Sequence, residues 1–320
     1  MTHLLEVRDL EVKFALRFGD ITAIDGASFT LDRGERLGIV GESGAGKSVT
    51  GFSIINLISK PGYISKGSIH FEGKKISDYG DAQMRKIRGD RIAMIFQDPM
   101  MTLNPVFTIG YQMIETLRAH RNISKARARA IALEKLKKVQ IPSPEARLDQ
   151  YPHELSGGMR QRIIIAISLL ADPAVIIADE PTTALDVTIQ AEIMDLLKEL
   201  CETENMGLIL ITHDLGVVSQ VTEKIAVMYA GKIIEYGETA QVVHNPTHPY
   251  TQGLLASIPG AIPPGEELKQ IPGMMPNLTN IPKGCAFNPR CELAQEICTR
   301  ETPALLKKQN GVLAACHMKV

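Results

Sequence analysis

Short, wholly apolar runs separated by longer stretches of helical period give the first reading of this chain. "RLGIV" (Arg36 to Val40), "RIAMIF" (Arg91 to Phe96), "AVIIA" (Ala174 to Ala178) and "LILIT" (Leu208 to Thr212) have the composition of buried strands. After the first of them, Val49, Phe52, Ile55 and Ile58 recur every three residues, the spacing of a buried helix face. Strands alternating with helices predict an α/β fold around a mainly parallel sheet. From about Asp98 to Leu170 the strand pattern gives way to helical patterns, among them "SKARARAIALEKLKKVQ" with Ser124 as its N-cap, which predicts a helical insertion. Beyond about His244 the texture changes again. Pro259, Pro263, Pro264, Pro272, Pro276 and Pro282 break any long periodic element, so a small appendage is expected there. The expected division is therefore residues 1–245, with a helical part at about 98–170, followed by an extension over 246–320. No internal repeat or low-complexity run interrupts this scheme.

Composition narrows the picture. A chain of 320 residues with 44% apolar content can bury a sizeable core, and its length suggests about two domains. A formal net charge of -1 offers no global basic surface, so nucleic acid is not an expected partner. The N-terminal "MTHLLEVRDLEVKF" lacks the basic, apolar and small-residue segments of a signal peptide, which points to a cytoplasmic chain. The greasiest stretch, "IIIAISLLA" (Ile163 to Ala171), stops at Asp172 and Pro173 and is about half the roughly 20 residues a membrane-spanning helix needs.

The first chemistry lies directly after the first strand. "GESGAGKS" comprises Gly41, Glu42, Ser43, Gly44, Ala45, Gly46, Lys47 and Ser48 and leads into a helix at Val49. It has the spacing of a phosphate-binding loop, and its strand-before, helix-after context is the one that motif requires. Its glycines let backbone N–H groups wrap phosphates, Lys47 supplies a point charge to the β and γ phosphates, and the Ser48 hydroxyl suits Mg²⁺. Farther on, "AVIIADE" places Asp179 and Glu180 at a strand end. Such a pair is often only a solvated loop, but beside a phosphate loop Asp179 suits Mg²⁺ and Glu180 suits the polarising of an attacking water.

"LSGGMRQR" (Leu155 to Arg162), standing between these motifs, completes a resemblance to the ABC-transporter ATPases. "ALD" (Ala184 to Asp186) and "THD" (Thr212 to Asp214) extend it, so that it covers about residues 1–245. The resemblance implies an ABC-type P-loop ATPase with a RecA-like core, an N-terminal β subdomain and a helical subdomain. It also implies that two such domains close head to tail on two ATP molecules. Ser156, Gly157 and Gly158 would then meet the γ-phosphate of a nucleotide held by the partner, and Asp186 would act across the interface. A signature at a helix start is well placed to offer N–H donors and a positive dipole end to an anion. By the same resemblance Gln97 senses Mg²⁺ and the attacking water, and His213 contacts the γ-phosphate. Phe18, with Phe14 second, is expected to stack on adenine. Ala45 and Met159 depart from the commonest family wording without removing a phosphate ligand.

"NPTHPYTQGLLASIP" (Asn245 to Pro259), the proline-rich stretch and a cysteine tail extend the resemblance to the ATPase subunits of dipeptide and oligopeptide permeases. It now covers nearly the whole chain, and the Met159 wording looks like one of the two non-identical ATPases of such permeases. The expected partners are a paralogous ATPase, two transmembrane permease subunits and an extracytoplasmic substrate-binding protein, with the chain peripheral on the cytoplasmic face of the cell membrane. A membrane subunit would dock near residues Gln97 to Met113. His248, Pro249 and Tyr250 are expected to anchor the tail rather than to catalyse. Other cargoes, such as nickel, glutathione, an antimicrobial peptide or a sugar, remain open, as does a soluble, non-transport ABC ATPase.

Four of the five cysteines, Cys285, Cys291, Cys298 and Cys316, crowd into this tail. Clustered thiols in a reducing compartment bind metal or do redox chemistry more often than they form disulfides. No CxxC pair is present, which weakens a zinc reading, whereas four thiolates suit a [4Fe–4S] cluster. Free thiols or a disulfide form the third possibility. The permease resemblance implies the cluster, in a structural role, with His317 a neighbour and Cys201 an ordinary core residue.

Overall fold

A computed structural model describes residues 2–98, 102–183, 185–258 and 270–318. Pro259, Pro263 and Pro264, Ala184 of the "ALD" motif and residues 99–101 of the expected docking segment lie outside them. In chain order the strands are β1 (Leu5–Leu16), β2 (Gly19–Leu31), β3 (Arg36–Val40), β4 (Gly62–Phe71), β5 (Lys74–Lys75), β6 (Ile92–Ile95), β7 (Val175–Asp179), β8 (Gly207–Thr212), β9 (Lys224–Tyr229), β10 (Lys232–Glu238), β11 (Leu306–Lys307) and β12 (Leu313–Ala314). The chain forms two compact units, one of residues 1–78 and 210–320 and the other of residues 79–209, and β8 carries the chain from the second back into the first.

The first unit holds an antiparallel sheet of order β2-β1-β4-β5. Leu5, Val7, Leu10 and Val12 of β1 are buried. Their spacing departs from strict alternation because the register with β2 and β4 shifts between Val7 and Glu11, where Asp9 takes φ 45°. The same unit carries the strand run β11-β12-β10-β9-β3, in which β3 pairs parallel with β9 while β9, β10, β12 and β11 pair antiparallel. The chain beyond residue 245 is thus joined to the part before it by backbone pairing of Glu235 and Tyr236 with Ala314 and Leu313.

The helix after the phosphate loop runs Lys47–Ile54 and corrects the expected burial. Val49 and Phe52 are only half-buried and Ile58 lies beyond the helix, while Thr50, Gly51, Ser53 and Ile54 face the interior. The small face is tolerable because the Thr50 hydroxyl donates to the Gly46 carbonyl at 3.0 Å and Ser53 to the Val49 carbonyl at 2.6 Å, so neither buried oxygen is orphaned.

The second unit contains the parallel pair β6 and β7, and no strand is found among its described residues between Ile95 and Val175. That interval holds the helices Ile109–His120, Lys125–Lys138, Pro144–Arg147 and Gly157–Ser168. Ser124 caps the second of these, accepting from the Arg127 N–H at 3.2 Å. Lys135, on the same helix and nearly fully buried, donates to Asp172 at 2.6 Å. Helix Val187–Glu204 follows β7 and buries Leu196, Leu197, Leu200 and Cys201, which makes Cys201 the core residue its surroundings suggested. No helix among the described residues is long and apolar enough to cross a membrane.

Glu235 of β10 has no exposed surface, and its carboxylate accepts the N–H groups of Thr247 at 2.7 Å and His248 at 3.0 Å. Burial pushes this carboxyl above its ordinary value although those amides favour the charged form. Replacing Glu235 with Ala strands two buried donors and is expected to cost about 2 kcal/mol in urea unfolding. An unchanged unfolding midpoint would show that these bonds do not anchor the extension.

Candidate functional site

In the first unit the phosphate loop leaves β3 at Gly41, whose φ of 154° and whose position 2.3 Å, at an added Cβ, from the Met228 carbonyl admit only glycine. The Gly46 N-cap starts the helix in a left-handed conformation, and the Lys47 side chain folds back over the loop. Its ammonium, almost wholly buried, donates to the carbonyls of Gly41 at 2.8 Å and Glu42 at 3.1 Å. The Ala45 carbonyl accepts from the Gly231 N–H at 3.0 Å, and the Gly231 carbonyl from the Asp25 N–H at 2.9 Å, tying the loop to β2 and to the turn after β9. Ser43 and Gly44 are exposed at the loop's crest. Phe18 sits in the turn between β1 and β2 with 77% of its surface exposed, whereas Phe14 is half-buried within β1. His213 is exposed at the end of β8, next to Asp214, which caps helix Leu215–Val221 through the N–H groups of Gly216 and Val217.

In the second unit, Asp179 is buried at the end of β7, and Glu180 follows it with φ 46°, a left-handed backbone that a non-glycine residue adopts at some energetic cost. The Glu180 carboxylate accepts from the Gln97 amide at 2.9 Å and the Thr183 hydroxyl at 3.0 Å. Gln97 and Glu180 are thereby brought together across 83 positions of sequence. Ser156 caps helix Gly157–Ser168 by accepting from the Met159 N–H at 3.4 Å, and Asp186 caps helix Val187–Glu204 by accepting from the Ile189 N–H at 3.0 Å. Gly158 lies where an added Cβ would fall 2.9 Å from Ile189 of that second helix.

The tail is organised by aromatic packing. Tyr229, Tyr250 and Phe287 contact one another edge-on, with ring centroids 4.7 to 5.4 Å apart. His248 caps helix Pro249–Ala256, its Nδ1 accepting from the Tyr250 N–H at 3.0 Å, so the His-Pro-Tyr segment has the anchoring role expected of it. Sequence reasoning missed Arg290. Both guanidinium arms reach the Glu42 carboxylate, at 2.7 and 2.9 Å, and no local signal marks a pairing between residues 248 positions apart. Gly284, with φ 75°, passes 2.2 Å, at an added Cβ, from the Cys298 carbonyl, which the Cys285 N–H bonds at 2.8 Å.

The four-thiolate site implied by the permease resemblance is not assembled. No disulfide joins the cysteines, and no group of three or more His, Cys, Asp or Glu among the described residues is arranged to hold a metal ion. Burial pushes the Cys285 thiol up to about 11 and raises those of Cys291 and Cys316. A ring nitrogen of His317 lies 2.8 Å from the Glu301 carbonyl oxygen.

Residues 24–183 match the family described as "ABC transporter", and residues 234–298 match "Oligopeptide/dipeptide transporter, C-terminal region". The chain belongs to the ATP-binding family of ABC transporters. Within it, the chain is 52% identical to the oligopeptide transport ATP-binding protein OppD of Bacillus subtilis, over 96% of this chain and 86% of that one. It is 49% identical to OppD of Salmonella typhimurium, over 99% and 94%. To the dipeptide transport ATP-binding protein DppD of Escherichia coli it is 45% identical, over 98% and 96%. Among solved structures it resembles the dimeric post-hydrolysis state of the ATP-binding cassette MJ0796 bound to ADP and Pi, with a TM-score of 0.66 and 29% identity over 73% of this chain and 98% of that one.

Burial, reinforced by Lys308, lowers His248 to about 4. A base depressed below its unfolded value near 6.5 is protonated first in the unfolded chain, so stability falls as pH drops from about 6.5 towards 4. His248→Asn, which keeps an acceptor at the cap, is expected to flatten the stability–pH curve in that window by about one proton. An unaltered slope would exclude His248 as its source.

Proposed function

We propose that this chain is the ATP-hydrolysing subunit that energises import of di- and oligopeptides through an ABC transporter at the cytoplasmic face of the cell membrane. The observation that carries the cargo class is the match of residues 234–298 to the oligopeptide/dipeptide C-terminal region, joined to near-full-length relatives whose names specify oligopeptide and dipeptide transport. Its partners in this reading are a paralogous ATPase, two transmembrane subunits and an extracytoplasmic substrate-binding protein. ATP-driven joining and hydrolytic reopening of the ATPase pair would move the membrane subunits, provided that ATP binds the closed state more tightly than the open one.

In the proposed chemistry the loop from Gly41 to Ser48, with Val49 opening the helix behind it, cradles the phosphates, and Phe18 stacks on the base. Ser48, Asp179 and Gln97 hold Mg²⁺, which when bound neutralises developing phosphate charge. Glu180 accepts the proton side of the attacking water. Its hydrogen bonds to Gln97 and Thr183 support this role by holding the carboxylate in a fixed direction. His213 and Lys47 stabilise the γ-phosphate. Ser156, Gly157, Gly158 and Asp186 serve a nucleotide held by the partner subunit, a role favoured by the helix start at Gly157. Together these groups act mainly by positioning and charge stabilisation.

For the extension the reading is a structural [4Fe–4S] staple on Cys285, Cys291, Cys298 and Cys316. Its support is the number and kind of donors that the sequence crowds into the extension, not their present arrangement. Anaerobic purification is expected to yield a brown protein with iron and acid-labile sulfide, and a colourless product free of both would remove the cluster. For the catalytic assignment, Glu180→Gln should bind ATP like the parent while turnover falls about a thousandfold. Hydrolysis at the parental rate would show that Glu180 is not the water-activating group.

A further inference from the structure

The phosphate loop contains an acidic side chain that the proposed ATPase chemistry does not use. Glu42 directly follows Gly41, in a segment whose ligand is a polyanion, and a carboxylate so placed repels phosphate unless a cation offsets it. The offsetting cation comes from the C-terminal extension. Arg290, 7% exposed, holds both Glu42 oxygens in a bidentate pair at 2.7 and 2.9 Å. Arg290 is itself fixed, donating from Nε to the Pro272 carbonyl at 2.8 Å and from Nη1 to the Tyr229 hydroxyl at 3.3 Å, with its guanidinium 5.8 Å from the Tyr229 ring centroid and 5.9 Å from that of Phe287.

The other polar groups of Glu42 are committed as well. Its N–H donates to the Tyr250 hydroxyl at 2.9 Å, and its carbonyl accepts from the Ala45 N–H at 3.2 Å and the Lys47 ammonium at 3.1 Å. Arg290 and Lys47 therefore grip one residue from two sides, Arg290 at its carboxylate and Lys47 at its carbonyl. Any shift of Glu42 moves an oxygen on which the phosphate-binding lysine rests.

We infer that Arg290 is a positioning residue for the ATPase reaction: it cancels the charge of Glu42 and fixes the loop beneath Lys47, so that the C-terminal extension sets the loop's affinity for nucleotide. The inference rests on the reading of Gly41 to Ser48 as the ATP-binding loop. Its test is titration of the purified full-length chain with a fluorescent N-methylanthraniloyl ATP and Mg²⁺. Arg290→Ala is expected to weaken binding about tenfold, with a smaller change in kcat at saturating ATP. Adding Glu42→Gln removes the uncompensated charge and should return the affinity to within about threefold of the parent. A merely structural arginine would give neither result. Unchanged affinity in Arg290→Ala, or a double variant as weak as the single one, overturns the inference. If Arg290→Ala does not fold, Arg290→Lys carries the test, since it keeps the charge and loses the fork. It should bind about threefold more weakly than the parent, and parental affinity there overturns the inference. Lys47→Ala separates the two readings. If it binds like the parent, the loop assignment itself fails; if it abolishes binding while the Arg290 variants bind normally, only the present inference fails.

Discussion

A phosphate-binding loop must keep most of its backbone N–H groups available to a ligand, and so is stabilised little by pairing them within itself. Its shape has to be imposed by neighbours, and in this protein that constraint governs the first unit. The Gly231 amide fixes Ala45, the Met228 carbonyl crowds Gly41, and Tyr250 and Arg290 hold Glu42. These contacts come from β9, the β9–β10 turn, a helix that begins in the His-Pro-Tyr segment and the cysteine tail. A loop of eight residues thus borrows its geometry from chain segments about 180 or more positions away in sequence.

Several residues of the sequence motifs have a structural duty of their own. Ser156, Asp186 and Asp214 each sit at a helix N-cap, with side-chain oxygens already accepting backbone N–H groups. Capping of this kind contributes about 1 kcal/mol per helix and fixes where the helix begins. Ser156 and Asp186, proposed to serve a nucleotide held by the partner, are therefore also residues that aim helix starts. Glu180 shows the same economy in another form: a left-handed backbone and two hydrogen bonds hold its carboxylate in one direction.

What the sequence revealed followed from locality. The buried strands were legible because each is a short apolar run, and the loop because its spacing is dictated by phosphate geometry. Ser124 was legible as a cap for the same reason. The burial of helix Lys47–Ile54 was not, because Thr50 and Ser53 read as polar until their hydroxyls are seen returning to their own backbone. β1 hid its register behind the irregularity at Asp9. The Glu42–Arg290 pair was hidden more deeply, since its partners are both ordinary charged residues and only the folded path of the extension brings them together. The thiols posed the reverse case. Their clustering in sequence was plain, but the described side chains are not arranged into a metal site.

The pairing of β12 with β10 has one more consequence. Without it, the seven-residue strand β10 would present an unpaired row of backbone donors and acceptors, the surface on which another chain most readily adds a strand. The extension covers that edge at Glu235 and Tyr236 and ends in β11, only two residues long and closing on Lys307, too short and too charged to template further growth. The tail that steadies the phosphate loop thus also protects the protein from edge-to-edge aggregation.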